Sequence, residues 1–182
     1  MNDFERDDKW QRQLRDEILV PGFYGKYATN GRYVLIDKGR LASHFQKRLA
    51  VDTIVQGKGG EVVCIEEKIV RWPKSGKPYT AFCLETESCT RPGYESDGWM
   101  VYGQADFLLY CFADARETVL YCHLIDFPKL KGWFWENAET FPPFQMLDTI
   151  NQTRGRVVPI ADIQTAGVKV WSRFIEKPRQ AA

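Results

Sequence analysis

Three residues, Asp52, Glu66 and Lys68, are of types and spacings that could work together on a phosphate. The segment LAVDTIVQ has a hydrophobic period of two, a Gly57-Lys58-Gly59-Gly60 turn follows, and EVVCIEEKIVRW resumes the same period, which together signal a hairpin. Alternation puts Val62, Cys64, Glu66, Lys68 and Val70 on one face, and Val63, Ile65, Glu67 and Ile69 on the other. If the hairpin turns about Gly59, Asp52 lies opposite Glu66 across the ladder. Two opposed carboxylates repel unless a cation or a proton sits between them. A hard divalent ion is the natural remedy: Mg²⁺ takes oxygen ligands and keeps several waters, so two carboxylates, a backbone carbonyl and a substrate phosphate would complete its shell. Lys68 would then orient the attacking water or stabilise the charge that develops on the phosphate. The competing interpretation is plainer, with Asp52 a solvated strand residue and Glu66-Glu67-Lys68 an ordinary salt-bridged edge.

Other polar residues gather near these three. A third strand, YTAFCLETES, alternates Phe82 and Leu84 with Glu85 and Glu87, so Glu85 is a candidate further metal ligand on a polar face. Gln46, on a short helix before the first motif strand, could reach the phosphate or the water; a plain helix-surface role is the alternative. Lys38, Arg40, Lys47 and Arg48 precede the acidic pair, and Arg71, Lys74 and Lys77 follow it. Positive charge on both sides would suit a phosphate backbone, with Gln46, Lys47, Arg48 and Arg71 as the contacts, although charge runs are commonly just solvated faces. Trp99, Trp133 and Trp135 could stack on splayed bases but read better as core. His44 and His123 are too few for a zinc centre, and His123, in an apolar strand, suits a hydrogen-bonded core role. Cys64, Cys83, Cys89, Cys111 and Cys122 lie mostly within apolar runs without C-x-x-C pairing, which predicts reduced core residues.

The elements that must position these groups are legible in outline. Asp3 to Leu19 has near-helical apolar spacing, and Pro21-Gly22 is expected to stop it. Glu5 and Glu17 lie on this helix. A short apolar run covers Tyr33 to Ile36, and Arg40 to Arg48 reads as a brief helix. After the third strand, CTRPGYESDG is a loop; ADFLLYCF and VLYCHLIDF are two more strands. PKLKGWFWENAETF reads as a helix continued by Phe144 to Thr153, and RVVPIADI as a closing strand, before a loose tail at 177–182. This order predicts a single domain over 1–182 of α/β (α+β) class, with a central mixed β-sheet flanked by helices.

Asp52, the glycine-rich turn and Glu66-Glu67-Lys68 resemble the D…(D/E)-x-K signature of the PD-(D/E)XK nuclease superfamily, the restriction-endonuclease-like fold. The resemblance covers residues 44–87 well. Ala50-Val51 stands where that motif has its Pro, and Glu67 where an apolar residue is commoner. The longer pattern QKRLAVDTIV, IEEK, FCLETES, GWM and ADFLLYCF also resembles uncharacterised bacterial and phage proteins. The superfamily implies an Mg²⁺- or Mn²⁺-dependent nuclease that hydrolyses DNA, with Asp52 and Glu66 on the metal and Lys68 assisting the water. It also implies DNA as partner and a homodimer as one arrangement for cutting. A catalytically silent relative that binds nucleic acid or a partner protein is the alternative.

Composition restricts the alternatives. With 25 Lys plus Arg against 24 Asp plus Glu, the net charge of +1 supplies no overall field toward nucleic acid, so binding must come from a local patch. The charged N-terminus, MNDFERDDKWQRQ, lacks the apolar core of a signal peptide, and no stretch approaches a membrane span, so a cytoplasmic protein with no membrane association is expected.

Overall fold

The computed structural model describes residues 3–27, 32–35, 45–56, 60–72, 76–146 and 152–178, and the side chains of all these except residues 3–8, Tyr27 and Lys47. Two β-sheets are packed together. The larger has six strands: β1 (Tyr33–Leu35), β2 (Thr53–Gln56), β3 (Val62–Arg71), β6 (Phe107–Ala113), β7 (Val119–Asp126) and β10 (Val170–Glu176), in the order β1-β2-β3-β6-β7-β10. β3 runs parallel to β6 and every other pair in this sheet is antiparallel, so the sheet is mixed. The smaller sheet is antiparallel, with β4 (Ala81–Cys89), β5 (Ser96–Asp97), β8 (Pro143–Gln145) and β9 (Arg154–Pro159) in the order β5-β4-β9-β8.

Hydrophobic sequence explains the layering. β6, FLLYCFA, is buried along nearly its whole length, as a strand covered on both faces must be. One face of the large sheet, through Ile65, Ile69, Leu109, Cys111 and Leu120, packs on Leu14, Ile18, Leu19 and Tyr24 of the N-terminal helix. The opposite face, through Leu108, Tyr110, Phe112 and Ile125, meets Phe82, Leu84 and Val158 of the small sheet and Phe134 of the helix Phe127–Asn137. Asp126 caps that helix by accepting from the backbone N–H of Lys129, and Pro128 occupies its first turn, where the missing N–H costs nothing.

The α/β class and the mixed central sheet are as the sequence implies. Four details differ. Pro21 does not stop the first helix: Asp3–Leu14 runs on as a wider-turned helix over Arg15–Tyr24 with Pro21 inside it. Expanded turns tolerate the missing N–H, and buried Ile18, Leu19 and Tyr24 reward continuation. The third motif strand, β4, belongs to the second sheet, and the neighbour of β3 is β6. Phe144 to Thr153 is not helical where described, since Pro143–Gln145 pairs with β9 as a strand. RVVPIADI divides into β9 and a helix, Ile160–Thr165, and the edge strand β10 follows it. Of the expected helix at Arg40 to Arg48, only the helical turn Phe45–Leu49 falls within the described residues. No helix among them is long and apolar enough to cross a membrane.

Candidate metal centre at the end of the motif hairpin

β2 and β3 pair Thr53 with Ile65, Ile54 with Cys64, Val55 with Val63 and Gln56 with Val62. This register places Asp52, one residue ahead of β2, opposite Glu66, and the Asp52 N–H donates to the Ile65 carbonyl at 2.9 Å. Asp52 thus keeps a ladder bond just ahead of β2, and two donors hold its carboxylate. Its Oδ1 accepts from Gln46 Nε2 at 3.2 Å and its Oδ2 from the Glu67 backbone N–H at 2.9 Å, which fixes its orientation.

Glu66 is buried, and its Oε1 pairs with Lys68 Nζ at 2.6 Å. Burial, then the charge of Asp52, pushes the Glu66 carboxyl up to about 8 in spite of Lys68. Lys68 is a third exposed, with its ammonium 5.4 Å from the centre of the Trp99 ring. Burial alone would favour its neutral amine, but the charges of Glu66, Asp52 and Glu85 hold it above the ordinary lysine range. Lys68 is therefore held as a cation, and Glu66 keeps its proton more tightly than a free carboxyl because burial and Asp52 oppose its charge.

The remaining candidates distribute unevenly. Glu85, on β4, acts on Lys68 electrostatically and accepts a hydrogen bond from the Ser88 hydroxyl. It does not complete a three-ligand set: among the described residues no three His, Cys, Asp or Glu side chains form a metal-binding group. Gln46 is in the site through Asp52. Arg48 is exposed, and the Lys47 side chain lies outside the described residues, as do Lys38, Arg40, His44 and Lys74. Arg71 lies 3.8 Å from the Trp10 ring centre, on the N-terminal helix. Glu17 pairs with Lys177 at 2.5 Å, and the Glu5 side chain is outside the described set. Trp99 is core, Trp133 packs against the core and Trp135 is exposed. Cys83 is exposed, contrary to its expected core placement, Cys64 and Cys89 are partly buried, and Cys111 and Cys122 are buried. His123 is a core residue, its Nδ1 2.8 Å from the Ser172 hydroxyl.

Two residues beyond the candidates named from sequence also lie at the site. Tyr102, which ends the short helix Trp99–Tyr102, lies within electrostatic reach of Lys68, Glu66, Glu85 and Asp52; burial raises its hydroxyl pKa. Its sequence context, GWMVYG, contains nothing but apolar and glycine neighbours, so no local signal marks it. Glu67 faces the N-terminal helix and accepts from Tyr24 Oη and Thr53 Oγ1, each at 2.5 Å. Burial and then Asp52 push it up to about 7, against the two hydroxyl donors and Arg15. Its charge in an otherwise apolar alternation was the available signal. Asp52 thus sits between two buried glutamates, one on each face of β3.

No family model, curated protein or solved structure matches this chain. The fit of the residues to a divalent ion consequently rests on their chemistry. Asp52 and Glu66 give two hard oxygen donors, the number of carboxylates with which Mg²⁺ is commonly content when waters and a phosphate fill its other positions. Burial first, and the neighbouring Asp52 second, raise the Glu66 carboxyl; a divalent ion held there would add to the counter-charge that Lys68 already gives.

Proposed function

We propose that the protein is an Mg²⁺- or Mn²⁺-dependent nuclease of PD-(D/E)XK type that hydrolyses DNA phosphodiester bonds. The observation that carries this reading is the buried Glu66, opposed by Asp52, paired with Lys68 and pushed up to about 8. A bound divalent ion would polarise the scissile phosphate and lower the pKa of the attacking water. Asp52 and Glu66 would hold it, with Gln46 and the Glu67 N–H fixing the direction of Asp52.

Lys68 has a narrower role than a general base. Since it stays protonated, it can only donate, to the water or to a non-bridging phosphate oxygen whose charge grows in the transition state. Its closeness to the Trp99 face helps fix the ammonium at the rim of the site. One observation favours a second reading, a silent nucleic-acid-binding relative: the Glu66–Lys68 pair at 2.6 Å satisfies each charge with the other.

Plasmid and labelled oligonucleotide cleavage in Mg²⁺, Mn²⁺ or EDTA separates the two. The nuclease reading expects metal-dependent products, lost about 10²-fold or more in Asp52→Ala and Lys68→Ala, a magnitude typical of removing one transition-state donor or ligand. DNA binding with equal, metal-independent background in all three proteins would support the silent relative instead.

A further inference from the structure

We propose that Cys111 and Cys122 are a peroxide-responsive thiol pair, in which hydrogen peroxide oxidises Cys122, Cys111 resolves it, and the disulfide so formed staples β6 to β7 in the core of the large sheet. Both side chains lie on the face of that sheet turned away from Glu66 and Lys68, in the same core cluster as Leu14 and Ile69, so the pair is independent of the nuclease reading above.

β6 and β7 are antiparallel, with Cys111 opposite Cys122. The Asp114 N–H donates to the Val119 carbonyl and the Phe127 N–H to the Asp106 carbonyl, each at 3.1 Å. Bonded and unbonded pairs alternate along an antiparallel ladder, and counting in twos from either of these bonds skips Cys111 and Cys122. They therefore form a pair with no ladder bond between them, where Cα atoms approach to about 4.5 Å and side chains come closest. A disulfide accepts Cα separations of about 4.4–6.8 Å. The two sulfurs are 2.9 Å apart and need to close by only about 0.9 Å to reach the ~2.05 Å of a disulfide. The other cysteines oppose no cysteine: Cys64 pairs with Ile54, Cys83 with Val157 and Cys89 with Ser96.

The two thiols differ in access. Cys111 is fully enclosed, and burial, then its contact with Cys122, pushes its thiol well above the ordinary range. Cys122 lines a cleft of about 620 Å³ walled by Phe23, Phe107, Leu124 and Trp171, so a small molecule entering there meets its sulfur first. Hydrogen peroxide is small and uncharged, which suits a mostly apolar opening. The Cys122 sulfur attacks one peroxide oxygen, the O–O bond breaks, and the other oxygen leaves with the thiol proton as water, giving a sulfenic acid. The Cys111 sulfur then attacks the Cys122 sulfur, the S–O bond breaks, and the hydroxyl takes the Cys111 proton and leaves as a second water. Two thiols lose two electrons and peroxide is reduced to two waters. The 2.9 Å contact supplies the proximity that lets so enclosed a thiol carry out the second step.

The test treats wild type, Cys111→Ala and Cys122→Ala with hydrogen peroxide, with and without dimedone, then alkylates free thiols and maps tryptic peptides. Arg116 is the one tryptic site between the two cysteines, so a disulfide keeps two peptides joined until reductant is added. Wild type should give the joined peptide, and its thermal midpoint should rise by about 5–10 °C on oxidation and fall back with reductant. Cys111→Ala should carry a dimedone adduct on Cys122, and Cys122→Ala none on Cys111. Exposed Cys83 is the internal control that the peroxide was active. Oxidised Cys83 without a joined peptide in wild type, or a joined peptide with an unchanged midpoint, would overturn the staple. An adduct on Cys111 and not on Cys122 would overturn the order of attack. The wild-type measurements decide the staple whether or not the variants fold.

Discussion

Replacing Glu66 by Gln should make the protein more stable at alkaline pH while removing a metal ligand. The Glu66 carboxyl lies at about 8 in the folded protein against an ordinary value of 4.5, so the folded state holds this proton more tightly than the unfolded chain does. Below pH 4.5 both states are protonated and Glu66 costs nothing. As pH rises from 4.5 to 8 the unfolded state releases its proton first, and stability falls by about 1.4 kcal/mol per pH unit; above 8 the penalty is constant. The penalty is thus about 1 kcal/mol at pH 5, about 3 kcal/mol at pH 7 and about 4 kcal/mol at pH 8. Gln is isosteric and cannot ionise, and the neighbouring Glu67, pushed up to about 7, titrates in both proteins and cancels in the difference. Urea unfolding of wild type and Glu66→Gln at pH 5, 6, 7 and 8, in EDTA, gives the comparison directly. The two stability curves should diverge by about 3 kcal/mol across that range, Glu66→Gln becoming relatively more stable. Parallel curves would refute the claim that burial and the neighbouring Asp52 hold the proton on Glu66.

The same proton must leave before an ion can bind, so the apparent Mg²⁺ affinity should climb by up to about tenfold per pH unit between pH 6 and 8. Isothermal titration at three pH values reads this, and a flat profile speaks against Glu66 as a ligand. Arg71→Ala should lose the stack on Trp10 and lower stability by about 0.5–1 kcal/mol in urea unfolding. An unchanged midpoint would show that Arg71 does not hold the N-terminal helix. Gly98→Ala would place a Cβ about 2.5 Å from the Glu85 carbonyl oxygen, beside the turn that leads into Trp99 and Tyr102. It should cost about 1–3 kcal/mol by overpacking, and an unaltered thermal midpoint contradicts that close approach.

The motif hairpin was readable because its information is local. Period-two alternation and the glycine turn fix the register that pairs Ile54 with Cys64, and with it the opposition of Asp52 and Glu66. Glu67 on the opposite face followed from the same alternation. What sequence could not supply depends on distant partners. β4 has the composition of any half-buried strand, and only its pairing with β9, some seventy positions later, decides which sheet it joins. β10 exposes most of its residues as an edge strand, so VWSRFIE has no clear alternation of burial to betray it. Pro21 breaks a regular helix but not a wide-turned one whose other residues are buried in the core. Tyr102 reaches the site through tertiary packing alone. Arg71, a plausible phosphate contact by charge, also stacks on Trp10, a partner 61 positions away that charge patterning cannot foresee.

The central claim is that Asp52 and Glu66 share one divalent ion. Electron paramagnetic resonance of Mn²⁺ titrated into the protein at pH 8 counts bound ions directly, with no dependence on substrate. One saturable site is expected in wild type, lost in Asp52→Asn and in Glu66→Gln and retained in Lys68→Gln. No saturable site in wild type, or the same site in the two carboxylate variants, would contradict it.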